Sequence, residues 1–111
     1  MKRTRIDPGE LRTPLTLQAP TATPDGAGGH GLEWNAVATV FARLEPVAAS
    51  SRWGGSQAAE TVTHLITLRM RADVESGMRL VADGRIFTIV TAHDPDESGR
   101  YLVCRTTEEG R

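Results

Sequence analysis

The side chains that could hold a metal ion or act as acid, base or nucleophile are few and far apart. The three histidines and the single cysteine are His30, His64, His93 and Cys104. No two of them stand at the short paired spacing that structural zinc sites use. We therefore expect no metal site built from these residues.

Two of these residues have a structural interpretation instead. His64 lies on the apolar face of a predicted strand, and the sequence places no acid, base or ligand beside it. We therefore predict a buried neutral histidine that is hydrogen-bonded to the backbone. Cys104 lies in an apolar run, which predicts a buried small hydrophobe. A single cysteine excludes an internal disulfide and fits a reducing compartment.

The segment Asp94–Gly99 matches half of a calcium-binding loop. Its oxygen-bearing side chains alternate, but the twelfth position, which needs a bidentate glutamate, is Arg105. We expect a solvated hairpin turn. The serines lack a nucleophile-elbow context, and no carboxylate pair suggests an acid and base couple. The sequence thus predicts a protein that is not an enzyme and needs no cofactor or metal.

Basic residues and one tryptophan remain as candidates for contact with phosphates or acidic protein surfaces. An exposed Trp beside an Arg in a loop is typical of an interface anchor, although Trp53 could instead cover the core. The outward arginines of the predicted strand could likewise be merely solvated. The candidate assembly contacts are Lys2, Arg3, Arg5, Arg52, Trp53, Gln57, Arg69 and Arg71.

The element that organises these candidates is the segment Thr61–Arg71, which alternates apolar and polar residues with period two. That alternation predicts one long half-buried strand. The inward positions are predicted to be Val62, His64, Ile66, Leu68 and Met70.

Shorter strands are predicted around this element. Asp83-Gly84 separates two alternating runs, which is a strong hairpin signal. The other predicted strands cover residues 15–18, 34–47, 78–82, 85–92 and 101–106. Dense Pro and Gly predict a long loop at 20–33, and a second long loop is predicted at 48–60, where a short helix is possible.

These elements predict an all-β fold, a small β-barrel of about six strands with long loops and at most one short helix. We expect a flexible basic N-terminal arm at 1–12, a single barrel domain at 13–107 and a frayed C-terminus at 108–111. No stretch reaches the roughly 18 apolar residues of a membrane span, and the first residues lack a signal-peptide core. We expect a soluble protein, cytoplasmic where it is made.

Many short features along the chain also follow a characteristic order. They are Gly9-Glu10-Leu11-Arg12, Leu17-Gln18, Asp25-Gly26, Gly28-Gly29, Trp34, Val37, Val40, Ala42, Leu44-Glu45-Pro46, Gln57, Glu60, the segment Thr63–Arg69, Gly77, Arg79, Phe87–Ile89 and Asp94. In this order and spacing the chain resembles the phage head–tail joining family, the small head-closure or stopper proteins. The long arm before Gly9, Pro14 in the first strand and the sparse aromatics depart from that pattern.

The resemblance implies a small β-barrel that forms a ring, commonly of six copies, between the portal-adaptor complex and the tail. Such a ring closes the DNA-filled head and offers a surface for tail attachment. The implied partners are further copies of the chain, portal-adaptor proteins, tail terminator or tail tube proteins, and packaged DNA in the channel. The implied location is the head–tail interface of the virion, reached from the host cytoplasm during assembly. Related proteins also occur in gene transfer agents.

An OB-like nucleic-acid-binding module is the alternative for a small barrel. It would require stacking aromatics on a basic face. The chain has only Trp34, Trp53, Phe41, Phe87 and Tyr101 for that purpose, and its net charge is −1.

If the chain is a joining protein, residues 48–60 are expected to contact neighbouring subunits or the adaptor, or to reach into the channel.

Overall fold

A computed structural model describes residues 6–24, 30–47 and 61–110, and these form a closed antiparallel β-barrel. A short 3-10 turn, Pro8–Glu10, precedes the first strand and is the one helical element in these ranges. The strands are β1 (Thr13–Pro24), β2 (His30–Pro46), β3 (His64–Arg69), β4 (Arg79–Ala82), β5 (Arg85–His93) and β6 (Tyr101–Glu108). Around the barrel they follow the order β1-β2-β3-β6-β5-β4. The predicted all-β, six-strand barrel is confirmed.

The core fills the barrel with alternate residues of every strand. In β6, for example, every second residue from Leu102 to Glu108 is buried, while the residues between are half-buried. Phe87 lies in the core with no exposed surface. The core is otherwise aliphatic, apart from Met78 and Cys104, and comprises Leu15, Leu17, Val40, Ala42, Ile66, Leu68, Met78, Leu80, Phe87, Ile89, Leu102 and Cys104.

The β1–β2 hairpin is longer than the barrel that it helps to close. β1 pairs with β4 only at Thr16–Gln18, and β2 pairs with β3 only at Ala42–Pro46. The rest of the hairpin pairs only within itself among the described strands, from Ala19↔Asn35 to Pro24↔His30. The hairpin therefore extends beyond the part of the sheet that closes the barrel.

This hairpin overturns the loop predicted at 20–33, because β1 continues to Pro24 and β2 begins at His30. Proline can occupy a ladder where its missing N–H would point away from the partner strand. That orientation alternates with period two, so Pro20 and Pro24 share it. Both prolines lie opposite residues of β2 in the register, Pro20 opposite Trp34 and Pro24 opposite His30. Residues 25–29 lie outside the described ranges.

The predicted central strand is shorter than the sequence suggested. β3 covers six residues, His64–Arg69, rather than eleven. Beyond it, the Met70 amide donates to the Arg100 carbonyl at 2.9 Å, and the chain turns away from β2. The inward positions Ile66 and Leu68 are buried, as predicted. Thr67, predicted to face solvent, is also buried because it lies in an outer groove that Ile6 and Pro95 also line.

Both ends of the described chain are more ordered than predicted. The Asp7 carboxylate accepts from the Gly9 amide at 2.9 Å and caps the 3-10 turn, and Leu11 is buried. The prediction of a flexible arm is therefore wrong for residues 7–12, while residues 1–5 lie outside the described ranges. Glu108 is also not frayed, since it ends β6 and is 5% exposed. The loop predicted at 48–60 falls outside the described residues.

The two predicted turns are present. Asp83 and Gly84 have φ of 51° and 79° in a two-residue hairpin loop between β4 and β5, the backbone pattern that favours Asp-Gly. In the turn before β6, the Gly99 amide donates to Asp94 at 2.7 Å and the Ser98 hydroxyl donates to Asp96 at 2.7 Å. The Ser98 hydroxyl is the main cause of a lowered pKa of Asp96. These carboxylates hold their own turn together.

Two kinds of feature are absent from the described ranges. No group of three or more His, Cys, Asp or Glu side chains is placed to hold a metal ion there. In the same ranges, no helix is long and apolar enough to cross a membrane.

An ion pair and an aromatic contact close one end of the barrel. Arg85 donates to both carboxylate oxygens of Glu108, at 2.8 and 3.1 Å, and its guanidinium lies 5.0 Å from the centroid of the Phe87 ring. The His64 ring makes an edge contact with Phe87, with the centroids 5.1 Å apart. His64 is half-buried, and its Nδ1 lies 2.9 Å from the Thr63 hydroxyl. Its ring thus contacts a side chain through Nδ1, and the backbone bond predicted for it stays a prediction.

We predict that the Cys104 thiol does not react with an aromatic disulfide reagent while the barrel is folded. Cys104 is fully buried, and burial raises the pKa of its thiol to about 12. At pH 8 the reactive thiolate is therefore scarce as well as inaccessible. Labelling should appear only with denaturant and follow the unfolding transition seen by circular dichroism. Rapid labelling of the native protein at pH 8 would contradict this.

We predict that Arg85→Ala lowers the free energy of unfolding by about 1–3 kcal/mol, because the buried Glu108 carboxylate loses its guanidinium partner. Arg71→Ala is the matched control. The Arg71–Asp73 pair has a similar distance of 2.8 Å, but Asp73 is 45% exposed. Its loss should cost less than about 1 kcal/mol. Urea unfolding measures both values, and equal losses would contradict the role given to Glu108 burial.

Candidate assembly surfaces

Between residues 14–22 of β1 and 32–41 of β2, the outer side of the hairpin has no charged residue of its own, although the Arg79 guanidinium of β4 lies against Trp34. Alternate residues of β1 face outward there, and the register pairs them with outward residues of β2. We call this surface the uncharged face, and it consists of Pro14, Thr16, Gln18, Pro20, Ala22, Leu32, Trp34, Ala36, Thr39 and Phe41. In the whole chain 24% of the residues are charged. Depletion of charge is a mark of protein interfaces.

A β-bulge keeps the uncharged face continuous. The register shifts between Leu17 and Gln18, which leaves Val37 as the additional residue of β2. The large hydrophobic side chains that are exposed in the described ranges all belong to β2: Leu32 at 61%, Val37 at 42% and Phe41 at 56%. Single exposed apolar residues are ordinary, but three along one strand indicate a surface for interaction.

Trp34 fixes the hairpin against the barrel. The Arg79 guanidinium carbon lies 4.0 Å from the centroid of its ring, a cation–π contact. The Nε of Arg79 also donates to the Gln18 side chain at 2.7 Å. Gln18 and Arg79 are direct partners across β1 and β4. The β1–β4 pairing that closes the barrel therefore also orients the part of the hairpin that extends beyond the barrel.

A second surface, the outer groove, lies across β2, β3 and β6. Its floor is formed by Leu65, Thr67 and Val103, and it is also lined by Ile6, Arg43, Glu45, His93, Pro95 and Arg105. Arg43 donates to Glu10 at 2.9 Å and to Glu45 at 2.8 Å. These bonds tie the N-terminal segment to β2. The groove therefore combines an apolar floor with a charged border.

Of the contacts predicted from the sequence, the structure brings two together. Arg69 and Arg71 lie beside Pro8, Leu11 and Phe41 in a depression at the end of β3. Arg71 donates twice to Asp73, at 3.0 and 2.8 Å, which raises the pKa of Arg71 and lowers that of Asp73. Arg69 lies opposite Tyr101 in the β3–β6 register and is exposed. Of the two arginines, Arg69 therefore presents its positive charge at the surface.

The other predicted contacts lie outside the described residues and stay predictions. They are Lys2, Arg3, Arg5, Arg52, Trp53 and Gln57.

The described aromatic residues do not form the stacking face of an OB-like module. Phe87 is inside the barrel, and Trp34 is covered by Arg79. Phe41 and Tyr101 lie near Arg69, but the turn that holds Asp94, Asp96 and Glu97 leads directly into β6 at the same end of the barrel. The basic charge there is therefore accompanied by carboxylates.

Sequence reasoning missed both the uncharged face and the outer groove. A signal for the first was present, because β1, TPLTLQAPTATP, has no charged residue in twelve. The assignment of residues 20–33 to a loop concealed it. The groove had no such signal, since its residues come from distant parts of the chain.

Comparison with known proteins shows which of them this chain resembles. The chain is similar to a chain in the virion of a native gene transfer agent particle, with 30% identity, a TM-score of 0.68 and 96% of each chain covered. It shares its fold with a protein of Shigella flexneri 2a known from its solution structure, with a TM-score of 0.71, 22% identity, and 96% and 99% of the two chains covered. No curated protein sequence matches it. The model of one family, described as phage head completion protein, matches residues 6–109, and the chain belongs to that family.

Proposed function

We propose that this chain is a head-closure protein of the head–tail connector. Copies of it form a ring between the portal-adaptor complex and the tail, close the DNA-filled head and offer the surface to which the tail attaches. The observation that carries the proposal is the family match across residues 6–109. The similarity to a chain of a gene transfer agent virion, over 96% of both chains, supports the same structural role.

The surfaces of the barrel suit a protein that works by binding. The uncharged face and the outer groove both lie outside the core, so neither is needed to fill the barrel. The described groups that could do chemistry have structural roles. Asp94 and Asp96 hold a turn, His64 packs against Phe87, and burial keeps the Cys104 thiol protonated. The protein therefore acts as a structural component rather than an enzyme.

The proposed partners are further copies of the chain, forming a hexameric ring, the portal-adaptor proteins on one side and tail terminator or tail tube proteins on the other. Arg69 supports contact with DNA phosphates or an acidic partner surface, because it is exposed at the end of β3. The proposed location is the head–tail interface of the virion, and the chain would reach it from the host cytoplasm during assembly.

The direct test adds the purified chain to DNA-filled heads that lack tails. Negative-stain microscopy should show rings capping the portal vertex, and nuclease should degrade less DNA than in untreated heads. Added tails should then attach. A monomer that ignores the heads but binds single-stranded DNA in a salt-sensitive way would overturn the proposal and favour the nucleic-acid module.

A second test replaces residues 48–60 with a short Gly-Ser connector. The flanks allow this change, because the Val47 amide donates to the Thr63 carbonyl at 2.9 Å and holds the two ends together. The variant should fold, with Cys104 still protected, but should no longer join heads to tails. Joining at the wild-type level would contradict a role for this segment in inter-subunit, adaptor or channel contacts.

A further inference from the structure

Two surfaces of this chain have complementary form and face outward side by side on the barrel, because β2 contributes to both. The uncharged face is the outer side of β1 and β2, on a two-stranded hairpin that extends beyond the barrel. The outer groove is a depression over β3 and β6, with Leu65 and Val103 in its floor. In the strand order β1-β2-β3-β6 the groove begins beside the uncharged face, with Arg43 and Glu45 of β2 on its border. Two adjacent outward surfaces cannot cover each other within one chain.

Other copies of this chain can cover both surfaces. When two different patches of one protein fit each other, each copy binds one neighbour with the first patch and another with the second. Such a head-to-tail contact generates a ring if its rotation closes. A projecting apolar surface, a concave apolar floor and a charged border match the core and rim of protein interfaces.

We propose that the uncharged face of one copy packs into the outer groove of the next, with Ala22 and Leu32 over the floor formed by Leu65 and Val103. This inference rests on the proposed function for the ring and names the surfaces that build it. Arg43, Glu45 and Arg105 border the contact. The groove of one copy and the hairpin of another thus make the contact, and no strand exchange is needed.

The size of the contact predicts a free monomer that assembles into a ring on a template. A strand of twelve residues is about 40 Å long, and two adjacent strands are about 10 Å wide, so the face offers about 400 Å². That is about half of the 800 Å² per partner in a stable complex. A single contact is therefore weak, whereas in a closed ring every copy is held by two contacts, which favours assembly on a template.

Cross-linking tests this arrangement. The Leu32→Cys/Val103→Cys variant is bound to tailless heads, and in parallel concentrated in solution, and is then treated with a flexible bismaleimide. Cys104 is fully buried and does not compete for the reagent. We expect a ladder of covalent oligomers in which peptide analysis finds position 32 joined to position 103. Neither single variant should give the ladder.

Three outcomes of the cross-linking would overturn the inference. Dimers formed by Leu32→Cys alone would show a face-to-face contact. Cross-links from position 32 to another head or tail protein would assign the face to that partner. The absence of oligomers both on heads and in concentrated solution would exclude the contact, even where the heads are capped and the proposed function holds. Conversely, a ladder in solution without capping would support the inference while the proposed function failed.

A matched pair of substitutions provides the second readout. Leu32 belongs to the uncharged face, and the neighbouring Glu33 points to the opposite side of the same hairpin. Leu32→Lys should reduce the fraction of capped heads by at least about tenfold, because it places a charge in the core of the contact. Glu33→Lys adds the same side chain one residue away and should change the fraction of capped heads by less than about twofold. Both variants should retain the wild-type melting temperature, and equal effects on capping would contradict the proposed orientation.

Discussion

Three residue pairs between β1 and β4 close the barrel, and the rest of the architecture depends on them. Thr16, Leu17 and Gln18 pair with Val81, Leu80 and Arg79 and so join the first strand to the last in the sheet order. β4 has only four residues, because Met78 follows Gly77, whose φ is 93°, and the Asp-Gly turn begins after Ala82. β4 can therefore cover only a short part of the twelve-residue β1. The remainder of the hairpin extends beyond the closed sheet.

The extended hairpin has features that suit contact through its face rather than its edge. An exposed strand edge can pair with other chains and cause aggregation, and proline blocks this. Pro20 and Pro24 lie in the part of β1 that extends beyond β4, and neither has an N–H to donate to a further strand. The outer face of the hairpin has no charged residue of its own between Pro14 and Ala22 or between Leu32 and Phe41, whereas its other face carries Glu33 and a hydrogen bond from Asn35 to Thr21. The two sides of one hairpin are thus chemically different.

Local patterns in the sequence predicted much of the barrel. Alternation identified the inward residues of β3, the Asp-Gly pair identified the β4–β5 hairpin, and an apolar context identified Cys104 as buried. Proline and glycine were misleading between residues 20 and 33, because their effect depends on where each N–H points, and that is a property of the pairing. Arg85 and Glu108 are 23 residues apart, so their ion pair depends on the register of β5 and β6. The outer groove depends in the same way on contacts between distant segments.

Copies of this barrel are proposed to occupy the junction between head and tail. Electron cryomicroscopy of complete particles, with the portal vertex reconstructed locally, tests this directly. We expect a ring of six-stranded barrels between the portal-adaptor complex and the tail, with each hairpin directed at the neighbouring copy. Barrels found elsewhere in the particle, or a junction without them, would overturn the proposed position.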